Sequence, residues 1–264
     1  MDEAKGSAEE PLILTEVRDL VLEIAMNRPR VKNALSFGLL QSLAERLTHA
    51  ASDDRIRAVI LTGSGGTFAA GADIRELSRM TAAEFLMTDV FRTWDEIAGF
   101  PKPILAAVQG FALGGGLELA LSCDLIVASQ EARFAQPELS LGVIPGAGGT
   151  QRLPRIVGKY IASEMVLGGR SLTAAEAERL GMVNRVVPHE LVMDTAREMA
   201  SRITRFSPLA VRQAKAALRM AFEGSLSQGL EAERQRFYAL FGSEDQQEGT
   251  RAFLDKRAPV WKGR

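Results

Sequence analysis

A mixed α/β fold with mostly parallel strands is the expectation from three observations. Short apolar runs at Val21–Met26, Ala58–Thr62, Ile104–Val108, Asp124–Ala128 and Val183–Val187 alternate with helix-period patterns. That alternation gives parallel pairing through right-handed crossovers. From about Glu190 the β signal stops and only helical patterns follow. The chain has 264 residues, 46% of them hydrophobic, enough for one large domain with a substantial core.

Taken in order, Leu12–Val17 and Val21–Met26 are β-type runs joined across Arg18-Asp19, a hairpin signal. Pro29 fixes φ and disfavours helix before it, so Arg28–Lys32 is a loop. Ser36 suits the N-cap of a helix that carries Leu39, Leu40, Leu43, Leu47 and Ala50 at helical spacing. Ala58–Thr62 is a buried-type strand, and Gly63–Gly66 a loop. Asp73 caps a short helix, and Ala82–Ile97 has the pattern of one longer helix. Pro101 and Pro103 lead into the strand Ile104–Val108. A short buried helix is expected over Gly115–Ser122 and a strand over Asp124–Ala128. Further helices start within Gly146–Leu153 and cover Tyr160–Leu167 and Thr173–Leu180, the last closed by Gly181. Pro188 stops the strand Val183–Val187. Helical patterns at Glu190–Ile203, Pro208–Phe222, Leu226–Phe241 and Glu244–Leu254 complete the chain, with Ser207-Pro208 and Gly224-Ser225 as helix starts. This last quarter is too thin to stand alone, so it packs on the core or on a neighbouring subunit.

Composition excludes several classes. A net charge of −1 without a Lys/Arg-rich stripe gives no general attraction to nucleic acid. The first ten residues, MDEAKGSAEE, lack the pattern of a secretory or transit peptide. The apolar runs are shorter than the ~20 residues that span a bilayer. A single cysteine, Cys123, permits no internal disulfide and fits a reducing, cytoplasmic setting. The segment Gly63–Gly66 lacks the later glycine of the dinucleotide motif, and Pro145–Thr150 lacks the Lys-Ser/Thr ending of a P-loop. The two histidines, His49 and His189, accompany neither a serine elbow nor a zinc spacing. Metal-free acid/base chemistry is what remains.

Its candidates lie in GFALGGGLELALSCD (Gly110–Asp124) and FAQPELSLGVIPGAGGT (Phe134–Thr150). Each contains one lone carboxylate, Glu118 and Glu138. Apolar surroundings penalise the charged form and raise a carboxyl pKa towards the range of a general acid or base. Either residue alone is as readily an ordinary surface glutamate. Glu118, however, has no polar neighbour in GLELAL, and an unpaired buried carboxylate is too costly to keep without a role. The triplet Gly114–Gly116 precedes a helix, so its N–H groups are unpaired donors at the positive end of the dipole. A glycine triplet by itself is more often a tight turn. Phe68–Asp73 is a second, weaker donor segment, and the basic end around Lys256-Arg257 and Trp261-Lys262 reads first as a solvated tail.

Taken together, FAAGADIREL (Phe68–Leu77), GFALGGGLELALSCD and FAQPELSLGVIPGAGGTQRL, in this order and spacing, resemble the enoyl-CoA hydratase/isomerase (crotonase) family from Val21 to Arg264. The resemblance implies a spiral of ββα turns over residues 1–197, holding the site, and a helical trimerisation region over residues 198–264. Trimers of this kind commonly pair into hexamers. The substrate implied is an acyl-CoA thioester, with coenzyme A as part of the substrate and no separate cofactor, metal, nucleic acid or membrane. The matching oxyanion-hole positions are the backbone N–H groups of Ala72 and Gly115. Glu118 and Glu138 match the glutamate pair, Glu118 activating water and Glu138 handling the Cα proton. Ala70, Ala72, Asp73, Ile74 and Arg75 match the stretch that lines the coenzyme A channel; Arg75 stands where many members have lysine, which changes the geometry of a phosphate contact. Phe253 and Lys256 match residues that reach coenzyme A, in the same or a neighbouring subunit. An acyl pocket is expected along Ala82–Trp94 and the C-terminal helices. The glutamate pair implies a 2-trans-enoyl-CoA hydratase. The alternatives are a hydratase for a methylglutaconyl-type, carboxylated substrate, an isomerase, or a non-catalytic RNA-binding protein, the last opposed by the balanced charge.

Overall fold

The first hairpin forms as the sequence predicts. Strands β1 (Ile13–Arg18) and β2 (Val21–Met26) pair antiparallel, with Ile13 opposite Met26. Asp19 and Leu20 turn the chain at positive φ. This is a computed structural model describing residues 10–264, so the reading of MDEAKGSAEE lies, but for Glu10, outside the described residues. Helix α1 (Phe37–Ser52) starts at Ser36, whose side chain accepts from the Leu39 N–H.

Three turns of chain then stack. Strand β3 (Ala58–Gly63) runs parallel to β2; after it Ala69 makes a bridge to Ala112, and helix α2 (Ile74–Leu77) follows under the Asp73 cap. Helices α3 (Ala82–Thr88) and α4 (Arg92–Ala98) lead to the next turn. That turn is β4 (Ile104–Val108), β5 (Phe111–Leu113) and α5 (Gly115–Leu121). The third is β6 (Leu125–Ser129), β7 (Arg133–Ala135) and a 3-10 turn at Glu138–Leu141. In each, one segment joins the main sheet and the next joins a smaller one, which is the expected ββα spiral. The chain continues through α6 (Gly149–Val157), α7 (Lys159–Gly168), β8 (Leu172–Thr173), α8 (Ala174–Arg179) and β9 (Arg185–Val187). The main sheet has the order β1-β2-β3-β4-β6-β9, and the small one β5-β7-β8.

The inner strands of the main sheet, β2, β3, β4 and β6, are buried on both faces, which explains their nearly continuous apolar sequences. Val59, Leu61, Ala106 and Ile126 face the large core with α1 and α5. Ala58, Ile60, Leu105 and Val127 face Val192, Ala196 and Ala200 of α9 (Val192–Thr204). The boundary expected after residue 197 therefore falls inside a helix that covers the sheet. Glu23 of β2 accepts on this face from Nε and Nη2 of Arg197, at 2.7 and 2.9 Å.

Two expectations change. Ala82–Ile97 is not one helix but two, broken at Asp89, which sits at φ 43. Aspartate tolerates this left-handed region, and exposed Leu86 and Met87 give α3 no buried face to hold it straight. Phe85 and Phe91 stack across the break with centroids 6.5 Å apart. Helix α6 begins three residues later than the pattern suggests, after Gly148 at φ 108.

Helices α10 (Pro208–Met220), α11 (Leu226–Leu240) and α12 (Glu244–Leu254) form the helical end. Lys215 ties α10 to the core through the Asp124 carboxylate (2.7 Å) and the Lys102 carbonyl (2.8 Å). The terminal residues are not a free tail. Buried Asp245 accepts from the Ser207 hydroxyl and from the N–H groups of Lys262 and Gly263, and the Trp261 indole donates to the Arg205 carbonyl. Asp245→Ala is expected to destabilise the fold by about 2–3 kcal/mol, since it strands a buried hydroxyl and two amides. Chemical denaturation would read this, and a loss below about 0.5 kcal/mol would refute it. No helix among the described residues is long and apolar enough to cross a membrane.

Candidate active site

The two lone glutamates come together from successive turns of the spiral. Glu118 is carried by α5. Gly114, at φ 51 and ψ −124, makes the sharp strand-to-helix turn that aims this helix. A Cβ at Gly116 would lie 2.2 Å from the Ala69 carbonyl oxygen, so only glycine lets α5 seat on the preceding turn. A Cβ at Gly114 would lie 3.0 Å from an oxygen of Glu138. The absent side chain makes room for the second carboxylate beside the start of the Glu118 helix.

Glu118 is 3% exposed, yet it is not unpartnered as the sequence suggested. One oxygen, Oε1, accepts from the N–H groups of Ala147 (2.8 Å) and Gly149 (2.7 Å). Sequence neighbours gave no sign of these partners because they lie about thirty residues away. Burial raises the Glu118 pKa; the two N–H groups and the Arg152 charge oppose that rise. Glu138 follows Pro137 on the 3-10 turn. Burial pushes its pKa up to about 7, and the Glu118 charge adds to the rise. Glu138 thus feels the Glu118 charge, as in a shared acid/base site.

Gln136 lies in the same FAQPEL run as Glu138. It is fully buried. With its amide nitrogen turned towards the carboxylate, it donates to both oxygens of Glu138, at 2.8 and 3.0 Å. A polar amide between Ala135 and a proline was the available signal, but what it touches is not legible from spacing.

The donor expectation is narrowed. The Gly114 N–H is consumed by the Ala135 carbonyl at 2.8 Å. The N–H groups of Gly115 and Ala72 have no hydrogen-bond partner among the described residues. They are neighbours: a Cβ at Gly115 would stand 3.5 Å from the Ala72 nitrogen. Leu35 and Trp94 complete the wall around Gly115, and the Phe91 ring lies against Gly146. The expected acyl wall along Ala82–Trp94 therefore meets this site through its aromatic residues.

Ala72, Asp73, Ile74 and Arg75 line an open groove together with Arg28 and Arg79. The Asp73 carboxylate is already committed there, capping α2 and pairing with Arg28 at 2.9 Å. Arg75 is exposed and available to an anion. Ala70 borders the same turn, its N–H bound by the Lys32 carbonyl. Phe253, 84% exposed, and Lys256 stand at the end of α12 and do not line this groove. No cluster of three or more His, Cys, Asp or Glu side chains suited to a metal occurs among the described residues.

Comparison with known proteins identifies the family. The profile described as enoyl-CoA hydratase/isomerase matches residues 16–264. A probable enoyl-CoA hydratase of Mycobacterium tuberculosis is 47% identical over 252 residues, covering 96% of this chain and 98% of that protein. The 2,3-dehydroadipyl-CoA hydratase of Escherichia coli is 48% identical over 244 residues, covering 92% and 96%. Among solved structures, enoyl-CoA hydratase subunit I of Geobacillus kaustophilus superposes with a TM-score of 0.93 at 44% identity, covering 97% of this chain and all of that one. Fold, extent and sequence together make the chain a member of the enoyl-CoA hydratase/isomerase family, with the crotonase fold.

Proposed function

We propose that the chain adds water across the double bond of a 2-trans-enoyl-CoA to give the 3-hydroxyacyl-CoA. The observation that carries this reading is the meeting of buried Glu118 and half-buried Glu138, whose pKa the Glu118 charge helps to raise, beside two adjacent unpartnered N–H groups. In this reading Ala72 and Gly115 hold the thioester oxygen as it gains negative charge. One oxygen of Glu118 is fixed by two amides, which favours its ionised form and leaves the other oxygen to take a proton from water. The water oxygen bonds to C3, the double-bond electrons move to the thioester oxygen, and Glu138 delivers a proton to C2 as the enolate collapses. The pKa near 7 makes Glu138 competent as that acid at neutral pH. Coenzyme A enters as part of the substrate, and the groove with Arg75 is the reading's place for its phosphates.

The test is hydration of crotonyl-CoA, followed as loss of enoyl-thioester absorbance. Turnover of the order of 1–10³ s⁻¹ is expected; a purified, folded chain with no turnover on any 2-enoyl-CoA would reject the reading. A second reading, a carboxylated enoyl-CoA, draws on the Escherichia coli relative's name. Turnover compared on crotonyl-CoA and 2,3-dehydroadipyl-CoA decides between them. The reading also includes assembly of copies through the helical end, where Leu226, Phe237, Tyr238 and Phe241 are exposed apolar residues. In such an assembly exposed Phe253 and Lys256 would reach the coenzyme A of a neighbour. Light scattering on the purified protein reads the copy number.

A further inference from the structure

Arg152 is absent from the chemistry above, yet it grips the loop that binds Glu118. Its Nη1 donates to the Ala147 carbonyl at 2.8 Å. The N–H of that same residue donates to Glu118 at 2.8 Å. Ala147 is therefore held at both ends, by a guanidinium on one side and a carboxylate on the other. The loop is shaped around this grip. A Cβ at Gly148 would lie 2.0 Å from Nη1 of Arg152, and the residue sits at φ 108. Only glycine allows both the backbone turn and the guanidinium's approach. The next residue, Gly149, supplies the second N–H to Glu118; a Cβ there would lie 2.6 Å from the Gln136 amide. Gly146, Gly148 and Gly149, by lacking side chains, thus admit Phe91, Arg152 and Gln136 in turn against one short loop.

We propose that Arg152 is a positioning residue for Glu118, holding the Ala147–Gly149 loop so that two amides bind one carboxylate oxygen, and supplying the positive charge that keeps Glu118 ionised beside Glu138. The inference rests on the hydratase reading, in which Glu118 must accept a proton while Glu138 holds one. Two nearby buried carboxylates compete for a proton unless their surroundings differ. Glu118 faces Arg152 and Glu138. Arg152 in turn faces Asp95 of α4, and Arg219 and Glu223 at the end of α10. The acidic pair offsets Arg219 and part of the charge of Arg152. Through the Ala147 peptide the guanidinium sits against the loop that binds Glu118, and its charge opposes the rise that burial imposes on the Glu118 pKa. Arginine stays charged under such burial.

The test uses the full chain with Arg152→Gln, which keeps a donor for the Ala147 carbonyl but removes the charge, and Arg152→Lys, which keeps the charge. Two measurements are made. The first is the carboxyl ¹³C titration of Glu118 without substrate, its resonance assigned by its loss in Glu118→Gln. The second is the pH profile of kcat and KM on crotonyl-CoA. In Arg152→Gln the Glu118 midpoint is expected to rise, the acidic limb of kcat to move the same way, and kcat at pH 7 to fall about tenfold or more with KM nearly unchanged. In Arg152→Lys the midpoint stays near that of the parent and part of the rate returns. A Glu118 midpoint unmoved in Arg152→Gln overturns the inference, as does a loss confined to KM. An inactive parent chain whose Glu118 midpoint still rises in Arg152→Gln rejects the hydratase reading while upholding the electrostatic role.

Discussion

Glu138→Gln is expected to lower kcat for enoyl-CoA hydration about 10²–10⁴-fold while making the folded protein more stable above neutral pH. The activity loss follows from removing the group that delivers the proton to C2. Glutamine fills the same space and still accepts a hydrogen bond from Gln136, so binding and fold are preserved. The stability gain follows from linkage. Burial, with the Glu118 charge beside it, raises the Glu138 pKa from an ordinary 4.5 to about 7. Below pH 4.5 the carboxyl is protonated in folded and unfolded chains alike, and costs nothing. As pH rises towards 7 the unfolded chain releases its proton first, so folding stability falls; above 7 the full penalty is present. For a group this incompletely buried the penalty is about 1–2 kcal/mol after solvent screening. Glutamine carries no such penalty. Thermal unfolding at pH 8 should therefore give a higher Tm for the variant, with the gap closing near pH 4.5. A variant equally stable at pH 8, or one retaining more than a tenth of the activity, contradicts the assignment of Glu138 as a half-buried, proton-holding acid.

What could be foreseen from sequence divides along physical lines. The main-sheet strands were legible because burial on both faces leaves apolar runs of five or six residues. Helix starts at Ser36, Asp73 and Ser225 were legible because a cap is a local contact. The small sheet was not, since β5, β7 and β8 have only three, three and two residues, too few for any periodicity to show. Glu118 and Glu138 stood out as lone carboxylates, but their environment did not. The amides on Glu118 come from Ala147 and Gly149, and the grip on Ala147 comes from Arg152. Those contacts depend on how α6 returns to α5, which no spacing encodes. The break at Asp89 was missed for the opposite reason: helix propensity favours one continuous helix over Ala82–Ile97, and no buried face of α3 enforces it.

Gly115→Pro should leave the fold intact while removing one oxyanion donor and placing its ring Cδ where the thioester oxygen would sit, lowering kcat/KM about 10²–10³-fold or more. Gly115 is the first residue of α5. At that position proline is well accommodated: its fixed φ suits a helix start, and the N–H it lacks has no intrahelical partner. The site leaves room for added carbon, because a Cβ at Gly115 would meet Ala72, Leu35 and Trp94 at 3.5, 3.6 and 3.8 Å, ordinary contact distances. The contrast with Gly116 is instructive. There a Cβ would strike the Ala69 carbonyl at 2.2 Å, so Gly116→Ala should damage folding before it reports on chemistry. For Gly115→Pro, circular dichroism and Tm should stay close to those of the parent. The loss should appear in kcat as well as KM, because the missing hydrogen bond strengthens as the thioester oxygen becomes an enolate oxygen while Cδ crowds that oxygen already in the bound substrate. If Gly115→Pro folds and keeps kcat within about fivefold of the parent, well short of what a lost oxyanion donor costs, the Gly115 amide is not part of the oxyanion site. The negative charge would then have to be held by Ala72 and groups other than the start of α5.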